Sequence, residues 1–262
     1  MTTSIEVIVA GVGLFMSDCP NAADWHAQKR SAEPQQPNGA RLDRRARGRS
    51  SVLTKALAEA YFEAADAAGA DLVEVSAVFG SALGEVGTML GLLNQIWRDR
   101  EEPSPMAFAL SVHNAASGVV SIASKNRGFT TSLGADHDTP AMALMEAMGL
   151  IADRGEPVIV ACGDEPTPVA LVAEDEAWEL ATFAIALAPV RGDDHGARVR
   201  LRGPIRAAPT LAAVEVPPGI ARNPQVGLLD LICAVQEGSS GLVALDRGRG
   251  GGWCMEVLCA NG

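Results

Sequence analysis

Cysteine is absent from the middle of this chain: none lies between Pro20 and Ala161. The five present (Cys19, Cys162, Cys233, Cys254 and Cys259) are odd in number and scattered, with no CxxC pair. That excludes a disulfide framework and a zinc site of the usual spacing, and fits buried thiols in a reduced, cytoplasmic protein. Aromatic residues are scarce too, 4% against 48% hydrophobic overall, so Ala and Val must fill much of the interior. Such small side chains favour helices packed closely on a sheet. Basic residues are outnumbered 21 to 32, for a net charge of −11, which argues against a general nucleic-acid surface. The apolar run from Val7 to Met16 is short, broken by Gly11 and Gly13, and has no basic stretch before it. It predicts a strand and turn in a soluble protein, with no signal peptide and no membrane span.

At 262 residues one substantial core is expected, in a single domain over residues 1–262. Ile5 to Gly11 predicts a buried strand ended by Gly-Val-Gly, and Pro20 to Ser50 a long polar loop. Leu53, Ala56, Leu57, Ala60, Tyr61 and Ala64 fall at helical spacing, with Gly69 as the stop. Asp71 to Gly80 holds the next strand. Val86, Met89, Leu90, Leu93, Ile96 and Trp97 then line one face of a second helix. A third helix is predicted from Asn114, as N-cap, to Lys125, and a strand within Gly128 to Ala135. Thr139-Pro140 signals a helix start with Thr as N-cap, and Leu144, Ala147, Met148 and Ile151 continue it. Pro157 to Cys162 and Thr182 to Ala188 read as strands. The last quarter offers a short helix from Asn223-Pro224 to Gly238 and strands at Leu242 to Leu245 and Cys254 to Cys259. Alternating strands and helices predict a layered α/β protein. The run Gly248 to Gly252 is a turn rather than a phosphate loop, because neither Lys-Ser nor a helix follows it.

Positive charge gathers locally at Lys29, Arg30, Arg41, Arg44, Arg45, Arg47 and Arg49, either as a solvated loop or as a docking patch for an acidic partner. His113 and His137 stand near predicted helix starts, where they are caps, core residues or general bases oriented by Asp136, Asp138 or Asp164. Met142, Met145 and Met148 form a stripe that is either helical core or an adaptable apolar lining.

Several segments share the order of one known family. They are Ile8-Val9-Ala10-Gly11-Val12-Gly13; Leu42-Asp43-Arg44-Arg45-Ala46-Arg47; Phe79-Gly80-Ser81-Ala82-Leu83-Gly84-Glu85; His113-Asn114-Ala115-Ala116-Ser117-Gly118; Glu146 to Ile151 with Arg154-Gly155-Glu156; and Val158 to Glu165. Over roughly residues 5 to 190 the chain resembles the N-terminal half of β-ketoacyl synthases, which implies a thiolase-like, layered αβα fold. Residues 191–262 would form a shortened second half.

Two departures from the family pattern stand out. The family's nucleophilic Cys opens the helix that carries Glu146 and Ala147, and here that position falls at His137 or Asp138. A helix N-terminus lowers a thiol's pKa and presents N–H donors, but neither of these side chains replaces a thiolate. Cys162, at the end of an apolar strand, reads as structural. The family's decarboxylating histidines come from a second half of similar size, whereas residues 191–262 contain only His195, in a polar loop. The resemblance is strongest to the short chain-length-factor subunits of aryl-polyene-type, type II polyketide systems. It implies a non-catalytic subunit that pairs with a β-ketoacyl synthase and shapes its acyl-chain tunnel, with no cofactor and no metal. Tunnel-lining candidates are Met142, Met145 and Met148. Interface candidates are His113, Asn114 and the strand segment Gly128, Phe129, Thr130, Thr131, Ser132, Leu133 and Gly134. Arg41, Arg44, Arg45 and Arg47 are candidates for docking an acyl carrier protein. The alternatives are a homodimeric acyl-chain-binding scaffold, or a Cys-independent thioester-acting enzyme using His113 or His137.

Overall fold

The structure, a computed structural model, describes residues 5–191 and 199–260; His195 lies outside the described residues. Eight strands, β1 (Glu6–Met16), β2 (Ser76–Gly80), β3 (Thr130–Leu133), β4 (Val158–Asp164), β5 (Ala181–Pro189), β6 (Val199–Arg206), β7 (Gly241–Ala244) and β8 (Trp253–Cys259), make one sheet. Its order is β3-β2-β4-β5-β1-β6-β8-β7. β2 runs parallel to both β3 and β4, and the other pairings are antiparallel. The helices are α1 (Ala22–His26), α2 (Arg44–Arg49), α3 (Val52–Ala68), α4 (Val86–Asn94), α5 (Pro105–Leu110), α6 (Ala115–Ser124), α7 (Thr139–Arg154), α8 (Pro218–Arg222) and α9 (Val226–Glu237). This is the layered αβα arrangement that the sequence predicts. Residues 199–260 extend the same sheet rather than building a second one.

Period-2 alternation divides the core between the two faces. In β4, Ile159 and Ala161 join Leu53, Leu57, Tyr61 and Phe79 under α3 and α6. Val158, Val160 and Cys162 point the other way, to Leu144 and Met148 of α7 and Leu229 and Ile232 of α9. The few aromatics concentrate where α3 meets β2: Tyr61 stacks on Phe79 at 5.7 Å and meets Phe62 edge-on at 5.3 Å.

β1 corrects the sequence reading at Gly11 and Gly13. The strand does not end there but runs on to Met16, because these glycines admit α3 rather than form a turn. A Cβ on Gly11 would lie 2.4 Å from the Ala64 carbonyl oxygen, and one on Gly13 would lie 2.2 Å from that of Ala60. Other boundaries shift for local reasons. Asn114 precedes α6, but its side chain makes no cap bond. Thr139 lies one residue inside α7, with Asp138 at the N-cap. Its hydroxyl instead ties the preceding turn, donating to Asp136 O at 2.7 Å and accepting from Ala135 N at 2.9 Å. The predicted loop at Pro20 to Ser50 holds the short helices α1 and α2. Strand β6 escapes sequence reading because arginines, Gly203 and Pro204 interrupt it. Its alternation is real, however: Leu201 is buried, while Arg200 and Arg202 pair with Glu6 across the open face.

The helix predicted over Val86 to Trp97 does form, but it widens into a π-helical turn at Gln95–Asp99, and most of its apolar face is not core. Only Val86 and Leu92 are buried. Among the described residues, no helix is long and apolar enough to cross a membrane.

The two sheet edges differ. Beside β7, the Thr210 and Leu211 N–H groups donate to Leu242 O at 2.9 and 3.1 Å, and Leu242 N donates to Thr210 Oγ1 at 2.8 Å. Nothing comparable covers β3 among the described residues. The bonds Ala77 N to Phe129 O (2.8 Å) and Ser81 N to Leu133 O (3.2 Å) turn the backbone of odd-numbered β3 residues toward β2. Thr130 and Ser132 therefore aim their N–H and C=O groups outward.

The β1–α3 contact is testable. Gly13→Ala drives a methyl into backbone and should cost at least about 2 kcal/mol. Gly149→Ala, at a position in α7 with nothing within 4 Å, should be neutral or gain up to about 1 kcal/mol. Urea unfolding of the two variants reads the difference; equal stabilities would refute the close-packing account.

Candidate functional site

The carboxyl ends of the parallel strands β2, β3 and β4 open toward the N-terminal end of α7, the place where open α/β sheets hold their sites. A buried polar knot occupies it. Asp164, 1% exposed, ends β4 and accepts from Ser81 Oγ (2.6 Å) and Leu83 N (3.0 Å) on Oδ1. Its Oδ2 accepts from Ala82 N (3.0 Å) and Gln225 Nε2 (2.6 Å). Ser81 Oγ in turn accepts from Gly84 N at 2.8 Å, which fixes the hydroxyl as donor to Asp164. Burial pushes the Asp164 pKa up while these donors pull it down. Asn223 bonds Glu179 O at 2.9 Å, so the start of α9 is stitched to the ends of β4 and β5.

Glu85 is a second buried carboxyl, accepting from Ser51 Oγ (2.8 Å) and Thr54 Oγ1 (2.6 Å) at the start of α3. Glu165 accepts from Gly87 N at 2.7 Å, and its pKa is raised first by burial and then by Glu85 and Asp164. These carboxyls brace loops. Each accepts from a neighbouring donor, and among the described residues no cluster of three or more ligating side chains could hold a metal.

His137 and Asp138 stand at the N-terminal end of α7, in a 3-10 turn at Asp136–Asp138. Asp138 Oδ1 accepts from Gly251 N at 2.7 Å. His113 Nε2 lies 2.8 Å from the Ser81 carbonyl oxygen. No hydrogen bond joins either histidine to Asp136, Asp138 or Asp164 among the described residues, so the oriented general base that the sequence allowed does not assemble. Cys162 is fully buried, and desolvation pushes its thiol well above the ordinary range.

The three methionines diverge around α7: Met148 is core, Met142 is partly buried and Met145 is 40% exposed. The interface candidates do gather. Gly134 and Gly84 both close on the His113 ring, and Ser132 Oγ donates to Ser117 Oγ at 2.9 Å, joining β3 to α6. Phe129 carries the Arg154 guanidinium 4.8 Å from its ring centroid. Of the arginines, Arg44, Arg45 and Arg47 project from α2 into solvent. Arg41 is engaged, pairing with Asp66 at 2.7 Å and lying over Phe62. The sequence reading missed the exposed apolar residues Trp97 (67%), Phe108 (63%) and Ile122 (75%). Periodicity marks such side chains as one face of a helix without saying whether anything packs on it.

The sequence matches the family profile described as beta-ketoacyl synthase, N-terminal domain, over residues 22–246, and so extends past the segment at 5 to 190 that carries the residue-level resemblance. Among solved structures it is similar to a ketosynthase in complex with its chain length factor from Xenorhabdus doucetiae: TM-score 0.71 at 17% identity, covering 97% of this chain and 99% of that one. It is also similar to a type II polyketide synthase acyl-carrier protein in complex with its ketosynthase, TM-score 0.68 at 12% identity, covering 99% and 100%. The ishigamide ketosynthase/chain length factor gives TM-score 0.62 at 16% identity, covering 75% of this chain and 65% of that one. No curated protein matches. These likenesses show the thiolase-like fold.

Glu85 provides a pH test. Burial raises its pKa from the ordinary 4.5, so the folded state keeps the proton longer than the unfolded chain, and stability falls as pH rises through that window. Glu85→Gln should therefore gain on the wild type as pH increases above 4.5. Urea denaturation at stepped pH measures this; a constant difference would count against the assignment.

Proposed function

Because the chain belongs to the β-ketoacyl synthase family, we propose that it is a non-catalytic, chain-length-factor-like subunit that pairs with a catalytic β-ketoacyl synthase and helps shape the acyl-chain tunnel between them. One observation carries this reading: among the described residues the β3 edge lies bare, with the backbone groups of Thr130 and Ser132 pointing outward, while the opposite edge is covered by the chain itself. An unprotected edge strand is an aggregation hazard unless a partner takes it. Trp97, Phe108 and Ile122 are exposed apolar residues as well. Two solved relatives, described as a ketosynthase with its chain length factor, support the choice of partner. The resemblance assigns the nucleophile's place to His137 or Asp138, which supports silence, since a carboxylate or an imidazole there does not do a thiolate's work.

A homodimer could also form by antiparallel pairing of this edge about a two-fold axis at Thr131. Thr130 and Ser132 would then oppose Ser132 and Thr130 of the partner subunit, so the same edge serves the scaffold alternative. Co-expression with a catalytic synthase decides between them. We expect co-purification, and a change in product length when this chain is omitted. A synthase that is active alone with unchanged products, or a stable homodimer that ignores it, would overturn the proposal. Ser132→Pro removes one outward N–H while sparing the β2 pairing. Because the change also removes the Ser132 Oγ–Ser117 Oγ bond, Ser132→Ala is its control, and relative to that control Ser132→Pro should weaken co-purification at least tenfold.

The exposed arginines of α2 are proposed to receive an acyl carrier protein, whose acidity complements them. Reversing charge at Arg44 and Arg45 should slow carrier-dependent transfer by the complex, most strongly at low salt. An unchanged rate at low ionic strength would rule the docking role out.

A further inference from the structure

Between the end of β2 and the start of α6 the chain leaves the body and returns to it, and both ends of the excursion are anchored. On the outgoing side Asp164 accepts from Ala82 N and Leu83 N. Glu85, 3% exposed, accepts from Ser51 and Thr54, and Glu165 accepts from Gly87 N at 2.7 Å. On the returning side His113 Nε2 lies 2.8 Å from the Ser81 carbonyl oxygen. The two ends meet there: a Cβ on Gly84 would lie 3.3 Å from the His113 Cα.

Beyond these anchors the segment bonds only to itself. Among the described residues, every hydrogen bond of residues 88–112 ends within residues 85–115, and no ion pair involves them. At the tip Glu101 N donates to Gln95 O at 3.1 Å and Gln95 Nε2 to Glu102 O at 3.3 Å, closing the π-helical turn on itself. Burial is as sparse. Of residues 88–112 Leu92 alone is buried, while Met89, Leu93, Ile96, Trp97, Met106 and Phe108 are each at least 38% exposed. Local propensity does not make up for this. Helix α4 has nine residues and α5 six, and neither N-cap side chain makes a cap bond. Helices shorter than about 12–15 residues are marginal in water unless packing supports them, and Gly87 and Gly91 weaken α4 further.

We propose that residues 88–112 are an order–disorder arm, whose helices melt and re-form while the sheet and the helices packed on it stay folded. Segments with few buried side chains and no polar ties to their surroundings open well below the free energy of global unfolding, and switching between order and disorder is a recurring device of regulated proteins. The anchors at Glu85, Gly87 and His113 set where melting stops, because the donors beyond them are held by buried carboxyls of the body. The inference is independent of the partner reading: the arm is tested on this chain alone, and β3 can take a synthase whether or not the arm melts.

Amide hydrogen exchange on the full chain tests it. Protection factors at residues 90–94 of α4 should be at least tenfold below those at residues 144–151 of α7. Gly91→Ala adds a methyl at a position with nothing within 4 Å, and should slow exchange in the arm by roughly two- to fivefold while leaving α7 unchanged. Protection in the arm equal to that in α7 would overturn the proposal. So would a Gly91→Ala effect that α7 shares, or one that the arm does not show.

Discussion

The near-contact of two backbones organises this protein. Gly11 and Gly13 let β1 approach α3 until the carbonyls of Ala60 and Ala64 lie where side chains would normally stand. Close packing of this kind tolerates no added methyl, because interiors lack the free volume to absorb it. It places α3 over the centre of the sheet, with β1, β5 and β4 beneath it, and lets small residues fill an interior nearly empty of large aromatics. With the centre fixed, β3 and β7 are left as the edges, and how each edge is finished decides what the molecule can bind.

At the far end of the same strands, buried carboxyls do structural work. Asp164 gathers four donors from the Ser81–Leu83 turn and Gln225, while Glu85 pins the start of α3. Leaving any of these donors unpaired in a dry interior would cost more than each bond contributes on its own. The loops therefore stay in place and position His113 beside the end of β3. The region that hosts chemistry in open α/β sheets is here tightly braced.

Much of the fold was legible because periodicity survives in it. The α3 stripe from Leu53 to Ala64 and the stop at Gly69, in left-handed conformation at φ 60°, follow directly from spacing and capping rules, as does the apolar β4. Sequence rules misled where a residue had a tertiary reason to be present. Gly11 and Gly13 look like a turn until the helix they admit is known. The arginines of β6 hide a strand until Glu6 and Glu256 are seen across from them. Helical spacing in Val86 to Trp97 implied a core face, yet spacing records amphipathicity and not burial. The methionine stripe of α7 looked continuous along the chain, yet Met148 is core, Met142 partly buried and Met145 exposed.

The sequence alone determined the fold class, the family resemblance and the absence of a thiol at the start of α7, since these depend on residue order and local pattern. Only the tertiary structure decided that, among the described residues, β3 is the open edge while β7 is covered, that neither histidine gains a carboxylate partner there, and that Gly251, far along the chain, bonds Asp138. Those outcomes depend on which segments meet across long stretches of chain, and short-range pattern carries no record of them.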